Sequence, residues 1–404
     1  MLILRCLQHH LLRTRHSSIF AISKRCLLVE RIGNCDTMMS QVRQKLTEIV
    51  GSSKQWGTKT IQLSGRLAKS QAELPSRRMM DSYQEACIPL GSNPDLRESY
   101  INFFNRVRFG RISEDLDTMA GLKTFSIQPD RDILIRGHVS WVGSTSIEVS
   151  MDVDQKTKNG GWEKQLDAKF LMVARNPQTK GKAYISPLEL ITEEERKLFV
   201  EGEANKAKRQ QENEKSLLRT PPTEQERRII HDLFLCTLDD RAATFKHPVK
   251  PEGATWMEDT LLKNIHVCFP QERNLYNKIF GGFLMRQAFE MAWADACLFS
   301  HSPPTAVAVD DIMFRKPVEV GSLLFMSTQV VYTEGPYMQV KVHAEVVNPN
   351  TGEHETTNIF YYTFKCYAGD VPVVMPKSYS EYMMYIDGKR HFDDASGKRS
   401  HRSE

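Results

Sequence analysis

Several absences narrow the reading of this 404-residue sequence. No apolar run approaches the roughly 18 residues of a membrane-spanning helix, and the formal net charge is only +4. No block of Lys and Arg is interleaved with aromatics, so nothing here encodes a nucleic-acid groove. Eight cysteines are present, yet none forms a CxxC pair and no Cys/His group has zinc-finger spacing. No metal site is expected, and the cysteines read as reduced, mostly buried thiols. No G-x-S-x-G elbow occurs, which leaves Ser-His-Asp hydrolysis without support.

What remains is globular composition, 40% hydrophobic and 26% charged, in a chain long enough for two or three domains. The N-terminus MLILRCLQHHLLRTRHSSIFAISKRCLLVE places Arg5, Arg13, Arg15, Lys24 and Arg25 ahead of the first acid, Glu30. Arginines spread through apolar sequence predict a transit peptide over residues 1–36, addressed to the mitochondrial matrix. A disordered basic tail is the alternative. At the other end, residues 385–404 read as a polar, unfolded tail.

The sequence also repeats itself. RESYINFFNRVRFGRISEDLD (97–117) and FPQERNLYNKIFGGFLMRQAF (269–289) share N-x-x-N, an apolar group, a glycine and a helical pattern. Asn102 aligns with Asn274, Asn105 with Asn277 and Gly110 with Gly282, always 172 residues apart. Further on, VSWVGSTSIEVSMDV (139–153) matches VVYTEGPYMQVKVHAEV (330–346), each two alternating strands around a turn. Phe170 in DAKFLMVA then matches Phe360 in TNIFYYTF, 190 residues apart. The spacing has grown by 18 residues, so the first copy is expected to have lost much of its helix and at least part of one strand. The two units are expected at 80–190 and 250–375. Residues 191–235 between them read as a charged helical linker broken at Pro221 and Pro222, its charges forming a solvated face.

FLMRQAFEMAWADACLF is apolar on nearly every side, the pattern of a helix buried all round. Strands follow it, so each unit is predicted to be α+β, with a sheet curled around the helix. Two copies in one chain imply pseudo-twofold pairing.

The N-x-x-N-x-I-F-G-G segment, together with HVSWVG, FGGFLMR, DDIMFRKPVEVGSL and the transit-like N-terminus, closely resembles the mitochondrial tandem hot-dog acyl-CoA thioesterases. The likeness covers most of the chain after about residue 80. It implies two tandem hot-dog domains, each an antiparallel sheet wrapped around a central helix, with the first domain shortened. It also implies acyl-CoA substrates and a homo-oligomer of tandem units.

Thioester hydrolysis needs a polarised carbonyl, an attacking water or carboxylate, and a leaving coenzyme A thiolate. Free N–H groups and the positive dipole end of a buried helix can face a developing oxyanion, and glycine lets substrate approach that backbone. The backbone N–H of Gly282, or of Gly110 in the other copy, is the candidate donor, with Gly281 beside it for substrate binding. A tight turn that lets the helix pack is an equally good reading of these glycines. Related thioesterases carry an Asp seven residues after the second glycine. That position is Asp117 in the first copy and Phe289 in the second. The resemblance therefore implies one asymmetric site. Asp117 would be general base or nucleophile, and Asn274 would orient water or thioester. Asn102, Asn277 and Gly110 would complete substrate binding. On the residues alone, Glu114, Asp115 and Asp117 are better explained as acids near a helix N-terminus, and the asparagines can be loop and cap residues.

No metal or redox cofactor is called for, since coenzyme A arrives within the substrate. Hydration of an acyl thioester on the same fold would want an Asp/His pair at the helix head, and no His lies in 98–121 or 269–300. His138 and His266 read as structural, and Asp310 and Asp311 as cavity or turn residues. A further alternative is a shortened, catalytically impaired isoform that binds acyl-CoA or a partner subunit.

Overall fold

The computed structural model describes residues 38–42, 44, 68–119, 127–174, 176, 181–239, 247–274, 278–310, 312 and 316–396, excepting the side chains of 116–119, 167 and 168. The expected transit peptide lies outside them. The chain forms two compact units. One holds the described residues of Met1–Ala207 with Pro270–Gly282, and the other those of Lys208–Phe269 with Phe283–Glu404.

The first unit contains β1 (Arg77–Arg78), β2 (Gln84–Ile88), α1 (Pro94–Glu98), α2 (Phe109–Met119), β3 (Ile133–Val142), β4 (Ser146–Lys156), β5 (Trp162–Val173), β6 (Leu188–Glu189) and the start of α3 (Glu193–Glu214). Strands β2-β3-β4-β5 form an antiparallel sheet in that order. Ile112 of α2 packs into a cluster with Ala86, Ile88, Ile133, Ile135, Val153 and Leu166, so the helix covers the apolar face that strand alternation creates.

Despite its charge, α3 is not solvated all round. Gly202 lies so close to Trp141 that a Cβ on it would come within 2.3 Å of the Trp141 Cβ. Glu203 accepts the Trp141 indole N–H at 2.9 Å, and Asn205 donates to the buried Glu148 at 3.1 Å. The expected solvated face is therefore half right: one side is docked through a single small residue.

The second unit contains α4 (Glu224–Cys236), β7 (Ala254–Trp256), β8 (Leu262–Val267), most of α5 (Gly281–Ser300), β9 (Thr305–Val309), β10 (Leu323–Glu334), β11 (Tyr337–Val347), β12 (His354–Lys365), β13 (Val373–Met375) and α6 (Tyr379–Ala395). Its antiparallel sheet runs β8-β10-β11-β12-β9. Met285, Ala288, Phe289, Ala292, Ala296 and Phe299 of α5 are buried at helical spacing. Phe289 lies edge-on to Tyr362, centroids 5.5 Å apart. Leu298 is 62% exposed, so α5 is not buried all round as expected.

Two further expectations fail. The tail expected at 385–404 begins inside α6, where Tyr385, Ile386 and Phe392 are buried. Gly388 packs on Val331, and Phe392 meets Tyr332 at 5.3 Å. The segment looked polar because its apolar residues are few, but they recur on one helical face. Cys87 is disulfide-bonded, against the expectation of reduced thiols. No local spacing signals a pairing between sequence-distant cysteines. Cys236, Cys268, Cys297 and Cys366 are free.

The two units repeat each other's small constructions. A parallel pair, β1 with β6 and β13 with β7, leads into a 3-10 turn on a buried methionine, Met79 or Met257. Each turn ends in a hydroxyl, Ser82 Oγ or Thr260 Oγ1, that accepts the N–H of Val139 or Val330. Each donor strand is bulged just beyond that residue. Each unit then has a helix whose first turn is closed by a capping box, Thr192 with Glu195 or Ser378 with Glu381, and which packs through a glycine. The units differ where the sequence skips. Among the described residues, four strands stand against five, and α2 has 11 residues against the 20 of α5.

Candidate functional site

Asn102 and Asn274 each begin a hairpin, and the closing bonds described in both hairpins match. Ile101 bridges Val107, and Arg273 bridges Ile279. The Asn102 N–H donates to Arg106 C=O at 2.8 Å, and the Asn274 N–H to Lys278 C=O at 2.6 Å. In return, Arg106 N–H donates to Asn102 Oδ1 at 3.0 Å, and Lys278 N–H to Asn274 Oδ1 at 3.2 Å. Each hairpin closes onto a helix start, through Arg108 N–H to Tyr100 C=O and Phe280 N–H to Glu272 C=O. Every pair keeps the 172-residue offset.

The side-chain oxygen of each asparagine is thus committed to its own hairpin. An amide has two ends, and Nδ2 is the end through which Asn274 can donate to a carbonyl or a water. The loop reading of these residues is correct, and it also fixes the orientation of a donor.

Helix α5 starts on the two glycines themselves, not at Phe283. Their amides fall among the first-turn N–H groups that have no intrahelical acceptor, at the positive end of a 20-residue helix. Neither glycine takes a left-handed φ, so what they contribute is the absent side chain. Gly110 is buried in the first turn of α2, where its carbonyl accepts Ser113 Oγ–H at 2.8 Å.

Asp117 lies in the last turn of α2, and its side chain is outside those described. Asn277 also lies outside the described residues. At the counterpart of Asp117, Phe289 is 6% exposed between Tyr362 and Phe364, an apolar setting that offers no acid. Residues Pro270–Gly282, which include Asn274 and both glycines, group in the same compact unit as α2.

Burial lowers the pKa of His138, with Asp152 and Glu195 pulling the other way. Burial, assisted by Arg286, lowers that of His266, whose ring lies edge-on to Phe283. Asp310 pairs with His391 of α6, a role that sequence did not indicate. Burial alone would lower the His391 pKa, but the bond to Asp310 and the charges of Asp387 and Asp394 leave it raised. No group of three metal-binding side chains occurs among the described residues.

One buried acid was misread. Asp115 is fully buried and accepts the Tyr100 hydroxyl at 2.5 Å, so it is no surface acid on a helix dipole. Nothing in the 15-residue separation signals such a pair.

Comparison with known proteins identifies the family. Residues 276–353 match the model of the thioesterase superfamily. The chain is 47% identical to mouse "Acyl-coenzyme A thioesterase 9, mitochondrial" over 88% of its own length and 89% of the relative's. It is 46% identical to the human protein of that name over 90% of each chain. The chain belongs to the acyl-CoA thioesterase family. Among solved structures, an acyl-CoA hydrolase from Staphylococcus aureus in complex with butyryl coenzyme A has 24% identity and a TM-score of 0.34, spanning 36% of this chain and 92% of that one. As a thioesterase, the protein must meet the three chemical needs set out above.

Proposed function

We propose that this thioesterase hydrolyses acyl-CoA to free fatty acid and coenzyme A at one asymmetric site. It is read as two tandem hot-dog domains, the first shortened, with residues 1–36 directing it to the mitochondrial matrix and tandem units assembling into a homo-oligomer. The thioester carbonyl lies at the first turn of α5, where the Gly282 amide and the helix dipole stabilise the oxyanion. Asn274 Nδ2 orients the carbonyl or the attacking water. Asp117 acts as general base or nucleophile, and the coenzyme A thiolate leaves. Asn277, Gly281, Asn102 and Gly110 line the substrate, and no metal or redox cofactor takes part.

The observation that carries this reading is that the Asn274–Gly282 segment of the second copy belongs to the compact unit of the copy that holds Asp117. The test is Asp117→Asn on the purified chain. Expected is a loss of 10²-fold or more in kcat, the scale of general-base loss, with little change in KM. Unchanged turnover would reject the assignment.

A second reading has its own support. A four-stranded sheet and an 11-residue helix in the first unit fit an impaired isoform that binds acyl-CoA or a partner subunit. Retained acyl-CoA binding with no release of thiol would select it.

A further inference from the structure

Tyr100 and Asp115 are both almost wholly removed from solvent, at 2% and 0% exposure. Tyr100 belongs to the apolar cluster of the first unit, beside Ile112 and Leu90. Its hydroxyl donates to Asp115 Oδ2 at 2.5 Å. Its ring lies 5.8 Å beneath the Arg111 guanidinium, which is itself 2.8 Å from Glu114. Its carbonyl accepts the Arg108 N–H at 2.7 Å. One residue thus joins the hairpin, the helix start and the second turn of α2.

A hydrogen bond to a carboxylate inside an apolar cluster is stiff. Turning the helix would strip the acid of its donor in surroundings that offer no water. Position 117 lies two residues beyond Asp115, about 200° around the same helix. Clamping Asp115 inward therefore sets the rotation of position 117 as well.

The second copy serves as an internal control. There the hairpin and the helix start are the same, but the counterparts of Tyr100 and Asp115 are Glu272 and Gln287. The clamp is present only in the copy that has an acid at the seventh position after the glycine.

We infer that Asp115 is a positioning residue for Asp117, acting through its bond to Tyr100. This rests on the assignment of Asp117 made above.

The test is steady-state hydrolysis of acyl-CoA by the full chain carrying Tyr100→Phe, Asp115→Asn, both changes, or Asp117→Asn. Displacing a reacting group by about 1 Å costs on the order of 10²-fold. Tyr100→Phe, which removes one oxygen and keeps the ring, is expected to lower kcat at least tenfold with KM within twofold. It should also shift the acid limb of the kcat–pH profile. The double variant should be no worse than the worse single one. Gln287→Ala, at the counterpart position, should change none of these. Should Asp115→Asn fail to fold, Tyr100→Phe alone decides. An essential Asp117 alongside a Tyr100→Phe enzyme with wild-type kcat, KM and pH profile overturns this inference and spares the site. Full activity in Asp117→Asn overturns both.

Discussion

Asp295 shows what one residue does to this protein. Its carboxyl is 2% exposed in α5, where Thr328 Oγ1 donates to it at 3.1 Å. Burial pushes its pKa up to about 7, against the pull of the Thr328 bond. The folded state thus prefers the neutral acid, whereas the unfolded chain ionises near 4. Asp295 costs nothing below pH 4, its cost grows as pH rises from about 4 to 7, and above 7 the cost is full. Asp295→Asn should therefore stabilise the protein at pH 8 by on the order of a few kcal/mol and hardly at all at pH 4. Urea denaturation at the two pH values checks this, and an equal gain at both would refute it. The sequence does not single out Asp295, because ADA inside an apolar helix does not say which face carries the acid. Asn274 was easier to read. Its N-x-x-N spacing is local, and the hairpin it builds involves only its near neighbours.

At the scale of elements, α3 is the helix expected of the linker but docks one side that charge suggested was solvated, and α6 is a packed helix where a tail is expected. Both carry a T/S-x-x-E capping box followed seven residues later by glycine, Thr192–Glu195–Gly202 and Ser378–Glu381–Gly388, and that shared spacing was the missed signal. Charge density concealed it, since a helix that docks through one glycine has little apolar surface to display. The packing makes a graded prediction. Alanine gains up to about 1 kcal/mol over glycine in a helix interior, while overpacking costs about 1–3 kcal/mol. At Gly202 the obstructing atom is the Cβ of Trp141 at 2.3 Å, which cannot move without the backbone. At Gly388 it is a Val331 methyl at 2.6 Å, which a rotamer change can relieve. Gly202→Ala should lower Tm by several degrees, and Gly388→Ala much less. The opposite order in a thermal melt would contradict the packing argument.

At the scale of the whole molecule, the internal repeat was legible, and it was the most informative part of the sequence. A fixed 172-residue offset paired the two N-x-x-N segments, and the hairpin-closing bonds described in both keep that offset. The α+β class followed from apolar periodicity, and the antiparallel sheets agree with it. The long-range pairs were not legible: Tyr100 with Asp115, Asp310 with His391, and the disulfide at Cys87. Each depends on where the fold brings two chain segments together, which no local pattern records.

If the site is asymmetric, Asn274 takes part in the chemical step, whereas its twin Asn102 lines the substrate without taking part in that step. Replacement by aspartate tests this, because it keeps the Oδ acceptor that holds the hairpin and removes the Nδ2 donor. The measurement is the rate of coenzyme A thiol release from acyl-CoA by Asn274→Asp and by Asn102→Asp. Asn274→Asp should lose at least tenfold in kcat, the scale of one lost transition-state donor, while Asn102→Asp should stay within about twofold of the unaltered chain. Equal losses in both, or a loss confined to Asn102→Asp, would contradict the asymmetric site.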